Sequence, residues 1–229
     1  MIAARVAAVR ERIARAAARA GRRPEDVTLV AVSKTFPAEA VRSAFVAGLR
    51  DFGENRVQEA EGKAAALADL RPSGLRWHLV GHLQANKARK AVPLFDRIHS
   101  VDDPDLGQRL DRIAGDMGRS LDALVEVNLG GEESKQGVPE ARLLPTLETL
   151  RGLGWLRILG LMVLPPYDED PERVRPFFSR LRALRDRALA DGLLQGSDLS
   201  MGMSHDFDVA IEEGATLVRV GTAIFGERS

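Results

Sequence analysis

The first β-rich run of this chain is Val27-Thr28-Leu29-Val30-Ala31-Val32, and the polar pair Ser33-Lys34 follows it directly. Seven similar runs come later, and stretches with helix signals lie between them. The eight runs cover residues 27–32, 49–53, 77–80, 97–100, 123–127, 158–163, 199–201 and 217–220. The runs at 97–100 and 199–201 have the weakest strand patterns. Alternating strands and helices indicate parallel strands joined by right-handed crossovers.

Helices are predicted both between the runs and before the first of them. Helix signals lie at Pro37-Ala38-Glu39 and over residues 56–70, 139–150 and 171–190, and the last two stretches begin with proline, which the first turn tolerates. An additional N-terminal helix is predicted because Ile2, Val6, Val9 and Ile13 form one apolar stripe. Gly21 ends this helix.

Eight strand–helix units in a chain of 229 residues predict an α/β protein with a single (β/α)8 barrel, a TIM barrel, preceded by an extra helix. A doubly wound open sheet is the competing architecture, but it usually has fewer strands at this length. No linker, close repeat or low-complexity segment divides the chain. Residues 1–229 are therefore predicted to form one domain.

The amino-acid composition excludes some kinds of partner and site and indicates the compartment in which the protein acts. The 33 basic side chains balance the 33 acidic ones, which argues against nucleic acid or an acidic membrane as the main partner. The chain has no cysteine, so disulfides, thiolate metal sites and cysteine nucleophiles are excluded. The arginine-rich N-terminus does not resemble a signal peptide, and no apolar run reaches the roughly 18 residues that span a bilayer. We predict a soluble cytoplasmic protein.

Lysine is rare in this chain and therefore informative. The basic residues comprise 28 arginines and only five lysines, at positions 34, 63, 87, 90 and 135, so a retained lysine is a candidate for needing a primary amine. Lys34 directly follows the first run, at the barrel end where function gathers. Burial there favours the uncharged amine, which attacks a carbonyl. The alternative is a lysine that extends from a strand end into solvent.

The last two runs are followed by loops that suit a phosphate group. The first is Leu199-Ser200-Met201-Gly202-Met203-Ser204, and the second follows Arg219-Val220-Gly221-Thr222. Barrels often bind phosphate in the loops after strands seven and eight, where backbone N–H groups and hydroxyls converge. Ser200, Ser204 and Thr222 supply the hydroxyls. For either segment alone, ordinary turn chemistry is the alternative.

Charged residues near the strand ends have two interpretations each. Arg219 lies within an otherwise apolar run, so its guanidinium needs a buried acceptor, which is either a structural carboxylate or a ligand. Glu54, Glu59 and Glu61 follow the second run and suggest paired carboxylates. Most of these glutamates, however, are expected on a helix face that is typical of a solvated surface.

Two patterns suggest a nucleophile and a metal site, but neither has the geometry that its chemistry needs. Gly202-Met203-Ser204-His205-Asp206 is similar to a nucleophile elbow, but its last residue is not glycine, and adjacent Ser, His and Asp cannot form a triad. His78 and His82 are four residues apart along a strand and its exit, a span of about 13 Å. We therefore predict neither a serine hydrolase nor a metal site.

Seven longer stretches of the chain match the motifs of one known family. The matching stretches are Ala31-Val32-Ser33-Lys34-Thr35, Phe52-Gly53-Glu54-Asn55-Arg56-Val57-Gln58-Glu59, His78-Leu79-Val80-Gly81-His82-Leu83-Gln84-Ala85-Asn86-Lys87, Ser134-Lys135-Gln136-Gly137, Leu161-Met162, Leu199-Ser200-Met201-Gly202-Met203-Ser204 and Val218-Arg219-Val220-Gly221-Thr222-Ala223-Ile224-Phe225-Gly226. In sequence and in order they resemble the motifs of the pyridoxal phosphate homeostasis proteins. They run from residue 31 to 226, so the resemblance covers most of the chain and is specific.

The resemblance implies a barrel similar to the N-terminal domain of alanine racemase, with pyridoxal 5'-phosphate (PLP) held as an aldimine on Lys34. By the same resemblance, Arg219 faces the pyridine nitrogen and Asn55 lies beside the ring. The residues implied around the phosphate are Ser200, Met201, Ser204, Gly221 and Thr222. Lys87 and Lys135 match family lysines to which the sequence assigns no role.

The implied function is that of a non-catalytic PLP carrier in vitamin B6 homeostasis, a monomer that supplies PLP-dependent apoenzymes. An amino-acid racemase is the alternative. Racemisation needs a second acid/base group opposite the lysine, and Tyr167 is the only tyrosine of the chain. We expect Tyr167 in a surface loop. A module that binds a protein or RNA and ignores the cofactor has no basic stripe to support it.

Overall fold

A computed structural model describes residues 1–130 and 136–227. Within these residues, eight parallel strands pair side by side in a ring. The eight are β1 (Thr28–Val32), β2 (Asp51–Glu54), β3 (Arg76–Leu79), β4 (Arg97–Val101), β5 (Leu121–Asn128), β7 (Leu156–Met162), β8 (Asp198–Ser200) and β9 (Leu217–Val220). Pairing of β4 with β5 closes the sheet. The predicted (β/α)8 barrel is confirmed, and the open sheet is wrong.

All eight predicted runs are strands, including the two weakest. Strands of a parallel barrel are buried on both faces, so they stand out as short apolar runs in the sequence. The sequence did not predict β6 (Val138–Pro139), a two-residue strand that pairs with the end of β5. Pro139 belongs to β6 and a 3₁₀ turn (Glu140–Arg142) follows it, so helix α6 begins later than predicted, at Leu143.

Helices cover the outside of the barrel. They are α1 (Ile2–Arg19), α2 (Ala38–Val46), α3 (Val57–Ala66), α4 (Ala88–Leu94), α5 (Pro104–Asp116), α6 (Leu143–Arg151), α7 (Arg175–Ala190), α8 (Phe207–Glu212) and α9 (Thr222–Phe225). The extra N-terminal helix α1 is present and buries Val6, Val9 and Ile13, as its stripe predicts. It packs against α2, α8 and α9. Among residues 1–130 and 136–227, no helix is both long and apolar enough to cross a bilayer.

The barrel separates two apolar clusters. The larger one lies between strands and helices, and a smaller one of Val30, Val32, Val80, Leu124, Met162 and Leu217 fills the interior. Neighbouring residues on β9 divide between them, since Leu217 belongs to the interior cluster and Val218 to the outer one. Side chains alternate along a strand, so Arg219 also points inward. This alternation places a buried cation inside the barrel.

Candidate functional site

A cavity of about 350 Å³ opens at the carboxyl ends of the strands. Six of the eight predicted site residues line it, namely Lys34, Asn55, Ser204, Arg219, Gly221 and Thr222. They come from loops after β1, β2, β8 and β9 and from β9 itself. The size falls within the range of small-molecule sites, roughly 300–1,000 Å³. The fold therefore brings together residues that are up to 188 positions apart in the sequence.

Lys34 lies in a constrained turn just beyond β1. The next residue, Thr35, has φ +68°, the only positive φ of a non-glycine residue among those the structure describes. Such a conformation disfavours a β-branched residue and persists only when its surroundings enforce it. The Thr35 N–H donates to a carboxylate oxygen of Glu59 on α3, which holds the turn from below.

Lys63 joins this turn to the barrel wall. Its Nζ lies 2.7 Å from the Ser33 carbonyl oxygen, 2.7 Å from Glu54 Oε1 and 2.8 Å from Glu59 Oε1. Burial raises the pKa of Glu54, although hydrogen bonds from Lys63 and Ser33 oppose it. The prediction of a solvated acidic face is therefore wrong for Glu54 and Glu59. The rarity of lysine was the available signal for Lys63.

Arg219 is almost wholly buried and reaches the cavity from inside the barrel. It donates from Nη1 to Ser200 Oγ at 2.6 Å and from Nη2 to the Val163 carbonyl oxygen at 2.9 Å. Burial lowers the pKa of Arg219 to about 10, while the charges of Glu126 and Asp206 oppose the shift. Arg219 is thus a fixed cation and a hydrogen-bond donor at neutral pH.

The loops after β8 and β9 meet at Ser204. Its Oγ accepts hydrogen bonds from the backbone N–H groups of Gly221 at 3.2 Å and Ala223 at 3.3 Å. Thr222 is exposed beside them and begins α9. Gly202, which turns the first loop, has φ +89°, and a Cβ on it would lie 2.6 Å from Ala210 Cβ. Ser204 and Thr222 thus place two hydroxyls at one corner of the cavity, the Ser204 corner, where two backbone N–H groups hold the Ser204 oxygen.

Ser200 and Met201 do not line this cavity, since both are fully buried below it. Ser200 Oγ lies between Arg219 and His99, 2.8 Å from His99 Nδ1. The Met201 N–H donates to the Leu217 carbonyl oxygen within the sheet. In this structure Ser200 supports Arg219 from below, and the phosphate role implied for these two residues stays a prediction.

Asn55 and Tyr167 occupy the rim of the cavity. Gly81 packs so closely on Asn55 that a Cβ on Gly81 would lie 2.5 Å from the Asn55 carbonyl oxygen. Tyr167 is 77% exposed, as expected for a surface loop, and its ring centroid lies 5.7 Å from that of His205. A neighbouring cavity shares Asn55 and is also lined by Lys87.

Glu126 is a buried carboxyl group near the mouth that sequence reasoning missed. Burial raises its pKa to about 7, the nearby Arg219 lowers it, and Asp102 raises it further. The sequence signal for Glu126 is the same as for Arg219, because Glu126 also interrupts an apolar run.

The two histidines that are four residues apart in the sequence have different partners. His82 lies 2.9 Å from Asp102, whereas His78 contacts His99.

Two further sequence expectations concern metals and lysines. Over residues 1–130 and 136–227, no cluster of three or more His, Asp or Glu side chains could hold a metal ion. Lys135, for which the sequence assigned no role, lies outside the described residues.

Residues 5–229 match the protein family described as alanine racemase, N-terminal domain. A relative from Aquifex aeolicus, named pyridoxal phosphate homeostasis protein, is 46% identical over 224 residues, which are 98% of this chain and 97% of the relative. A relative of the same name from Escherichia coli K12 is 41% identical over 228 residues, 99% of this chain and 97% of the relative.

Solved structures of similar proteins agree with these sequence matches. PipY of Synechococcus elongatus with PLP bound is 44% identical, superposes with a TM-score of 0.87 and covers 99% of this chain and 100% of PipY. Alanine racemase of Clostridium difficile is 14% identical, with a TM-score of 0.70 over 89% of this chain and 56% of the racemase. That likeness is one of fold alone.

Proposed function

Because this chain belongs to the pyridoxal phosphate homeostasis protein family, we propose that it binds PLP at the barrel mouth and serves as a non-catalytic carrier in vitamin B6 homeostasis. The observation that carries the proposal is the convergence of Lys34, Arg219 and the Ser204 corner on one cavity. We further propose that residues 1–229 form a single PLP-binding domain that acts in the cytoplasm as a monomer.

The donor set of the cavity fits the three polar groups of PLP. Its phosphate needs hydrogen-bond donors, which the Ser204 corner supplies through the hydroxyls of Ser204 and Thr222. The N–H groups of Gly221 and Ala223 donate to Ser204 Oγ and so orient the Ser204 hydroxyl, whose own proton can be donated to the phosphate. Its ring nitrogen needs one donor, and the buried Arg219 is a donor only. When bound, PLP supplies an aldehyde that bonds covalently to a primary amine. Lys34 lines this cavity and is the primary amine proposed to bond to that aldehyde.

Each residue then has a role that follows from its place. The Thr35–Glu59–Lys63 contacts hold the turn of Lys34 and so keep its amine at the cavity. Ser204, Gly221 and Thr222 are proposed to hold the phosphate, with Ser200 and Met201 beneath them. Arg219 orients the ring nitrogen, and Asn55 lies beside the ring. Because Arg219 does not readily give up a proton, the ring is a weak electron sink.

The carrier role is tested by transfer to an apoenzyme. PLP-loaded protein is mixed with a PLP-dependent apoenzyme in the presence of a phosphatase that destroys free PLP, and recovery of enzyme activity is followed. We expect recovery with the wild-type protein and with Lys90→Ala, an exposed lysine on α4. We expect none with Lys34→Ala. Equal recovery with the Lys34 and Lys90 variants, or none with the wild type, contradicts the proposal.

A further inference from the structure

A chain of buried hydrogen bonds crosses the barrel interior from its amino-terminal end to the cavity. It begins at Asp51, the first residue of β2, whose Oδ1 lies 2.9 Å from His78 Nε2. His78 Nδ1 lies 2.9 Å from His99 Nε2, and His99 Nδ1 lies 2.8 Å from Ser200 Oγ. Ser200 Oγ in turn accepts from Arg219 Nη1 at 2.6 Å. All five residues are buried.

The two ends of this chain fix the direction of every bond in it. Arg219 can only donate, so the Ser200 oxygen accepts from it. Among the described residues the other hydrogen-bond partner of Ser200 Oγ is His99 Nδ1, so the Ser200 proton is directed to His99. At the other end, burial raises the pKa of Asp51, but hydrogen bonds from His78 and Arg76 outweigh burial and lower that pKa. Asp51 is therefore a carboxylate that only accepts.

The two histidines complete the chain in one way. Burial and the nearby charges hold the pKa of His99 well below its usual range, so His99 is neutral and carries one ring proton. Since its Nδ1 accepts from Ser200, that proton is on Nε2 and is donated to His78 Nδ1. His78 then donates from Nε2 to Asp51. Every donor in this series of hydrogen bonds therefore points away from the cavity and toward Asp51.

We propose that Asp51, His78, His99 and Ser200 form a relay that fixes the position and the donor role of Arg219 at the cavity. Asp51, His78 and His99 are thereby positioning residues that act through Arg219 and touch no ligand. The part of this inference that concerns PLP rests on the proposed function. If these hydrogen bonds had only a structural role, breaking them would lower the stability of the protein. It would not link the Asp51 charge at one end of the barrel to the absorption spectrum of a ligand at the other end.

The relay predicts what happens when its acceptor end is removed. In Asp51→Leu the His78 Nε2–H loses its acceptor, so His78 is expected to move its proton to Nδ1 and donate to His99. His99 must then donate from Nδ1 to Ser200, which leaves Ser200 facing two donors. A hydroxyl oxygen accepts two hydrogen bonds, so Arg219 keeps Ser200 as an acceptor but now shares that oxygen with a second donor, and the Ser200 proton is left without its His99 acceptor. Asp51→Asn keeps an acceptor oxygen, so it should preserve the wild-type direction.

The test combines two measurements on the full chain. Nitrogen-15 NMR of the PLP-free protein reports which ring nitrogen of His78 and His99 carries the proton, and titration with PLP reports affinity and absorption maximum. Asp122→Leu is the matched control, because Asp122 also lies near the start of a strand but pairs with Arg157. We expect Asp51→Leu to move both protons to Nδ1, to shift the PLP spectrum and to weaken PLP binding roughly tenfold. Asp51→Asn and Asp122→Leu should cause none of these three changes.

If Asp51→Leu does not fold, Ser200→Ala breaks the same relay in its middle, with Ser100→Ala as control. Ser100 is equally buried but donates to the Gly81 carbonyl oxygen. Ser200→Ala should then weaken the binding and shift the absorption maximum of pyridoxal, which lacks the phosphate, as well as of PLP, and Ser100→Ala should do neither. Either of two results overturns the proposed relay. In the first, His78 and His99 keep their protons on Nε2 in Asp51→Leu. In the second, a variant and its control have the same PLP affinity and absorption maximum. A wild-type chain that shows the predicted protons but binds no PLP overturns the proposed function instead.

Discussion

The Nζ of Lys63 lies 2.7 Å from Oε1 of Glu54, and this buried ion pair sits directly beneath the turn that carries Lys34. Glu54 is fully buried, and its second carboxylate oxygen has no hydrogen-bond partner among the described residues. The carboxylate therefore depends on Lys63 and on the Ser33 hydroxyl. A buried ion pair of this kind contributes little net stability, but removal of one partner is costly.

Replacing Lys63 should therefore destabilise the protein far more than replacing a surface lysine. We expect Lys63→Met to lower the free energy of unfolding by about 3 kcal/mol in urea denaturation, because Glu54 is left buried without a cation. Lys90→Met is the control, since Lys90 pairs with Glu61 at the surface, and it should cost no more than about 1 kcal/mol. Adding Glu54→Gln to Lys63→Met should restore part of the loss. Equal losses for the two lysine variants would contradict this account.

The Ser204 corner should discriminate between phosphorylated and unphosphorylated ligands. The double variant Ser204→Ala/Thr222→Ala removes both hydroxyls from the loops after β8 and β9, so PLP should bind at least roughly tenfold more weakly. Pyridoxal, which lacks the phosphate, should be affected little. Fluorescence titration with both ligands measures the difference. A similar loss for the two ligands would show that the phosphate is held elsewhere.

Glu126 should make the stability of the PLP-free protein fall as the pH rises. Burial raises its pKa from 4.5 to about 7, so in this window the native state holds a proton that the unfolded state has released. The free energy of unfolding therefore falls progressively as the pH rises from 4.5 to above 7, by up to roughly 3 kcal/mol in total. Glu126→Gln should match the wild type near pH 4.5 and exceed it at pH 8.

Urea denaturation of both proteins at several pH values provides the measurement. Glu148→Gln, which replaces an exposed carboxyl on α6, is the control and should follow the wild type throughout. A Glu126→Gln protein that is less stable than the wild type at pH 8 would show that the ionised carboxylate stabilises the fold.

Racemase activity should be absent. Inversion at an α-carbon needs an acid/base group on each face, and Tyr167, the sequence's candidate for the second group, is 77% exposed. We expect PLP-loaded protein in deuterated water to convert L-alanine into no detectable D-alanine, with slow α-deuteration at most. D-alanine that forms efficiently and disappears in Tyr167→Phe would identify a racemase.

The barrel and most of its site follow from the sequence because strand runs and strand ends are local features. Lys34 and Arg219 could be found in this way, since each breaks or ends an apolar run. The role of Ser200 could not, because its contacts with His99 and Arg219 depend on which face of β8 points inward. Inward direction is set by strand register across the closed sheet, which no short pattern encodes.

The support beneath Lys34 escaped prediction for a similar reason. Glu54 ends β2 and Lys63 lies on α3, and they meet because the helix folds back over the strand. In the sequence the surrounding glutamates are indistinguishable from a solvated helix face. Only packing shows that Lys63 is buried, while Glu61, two positions earlier, pairs with Lys90 at the surface.

Lys34 is proposed to be the residue that holds PLP. The most direct measurement is borohydride reduction of the PLP-loaded protein, followed by proteolysis and mass-spectrometric mapping of the modified lysine. We predict that the pyridoxyl group is found on Lys34 and that Lys34→Ala yields no labelled peptide. A label on Lys87 or Lys135 with Lys34 unmodified would show that a different lysine holds PLP.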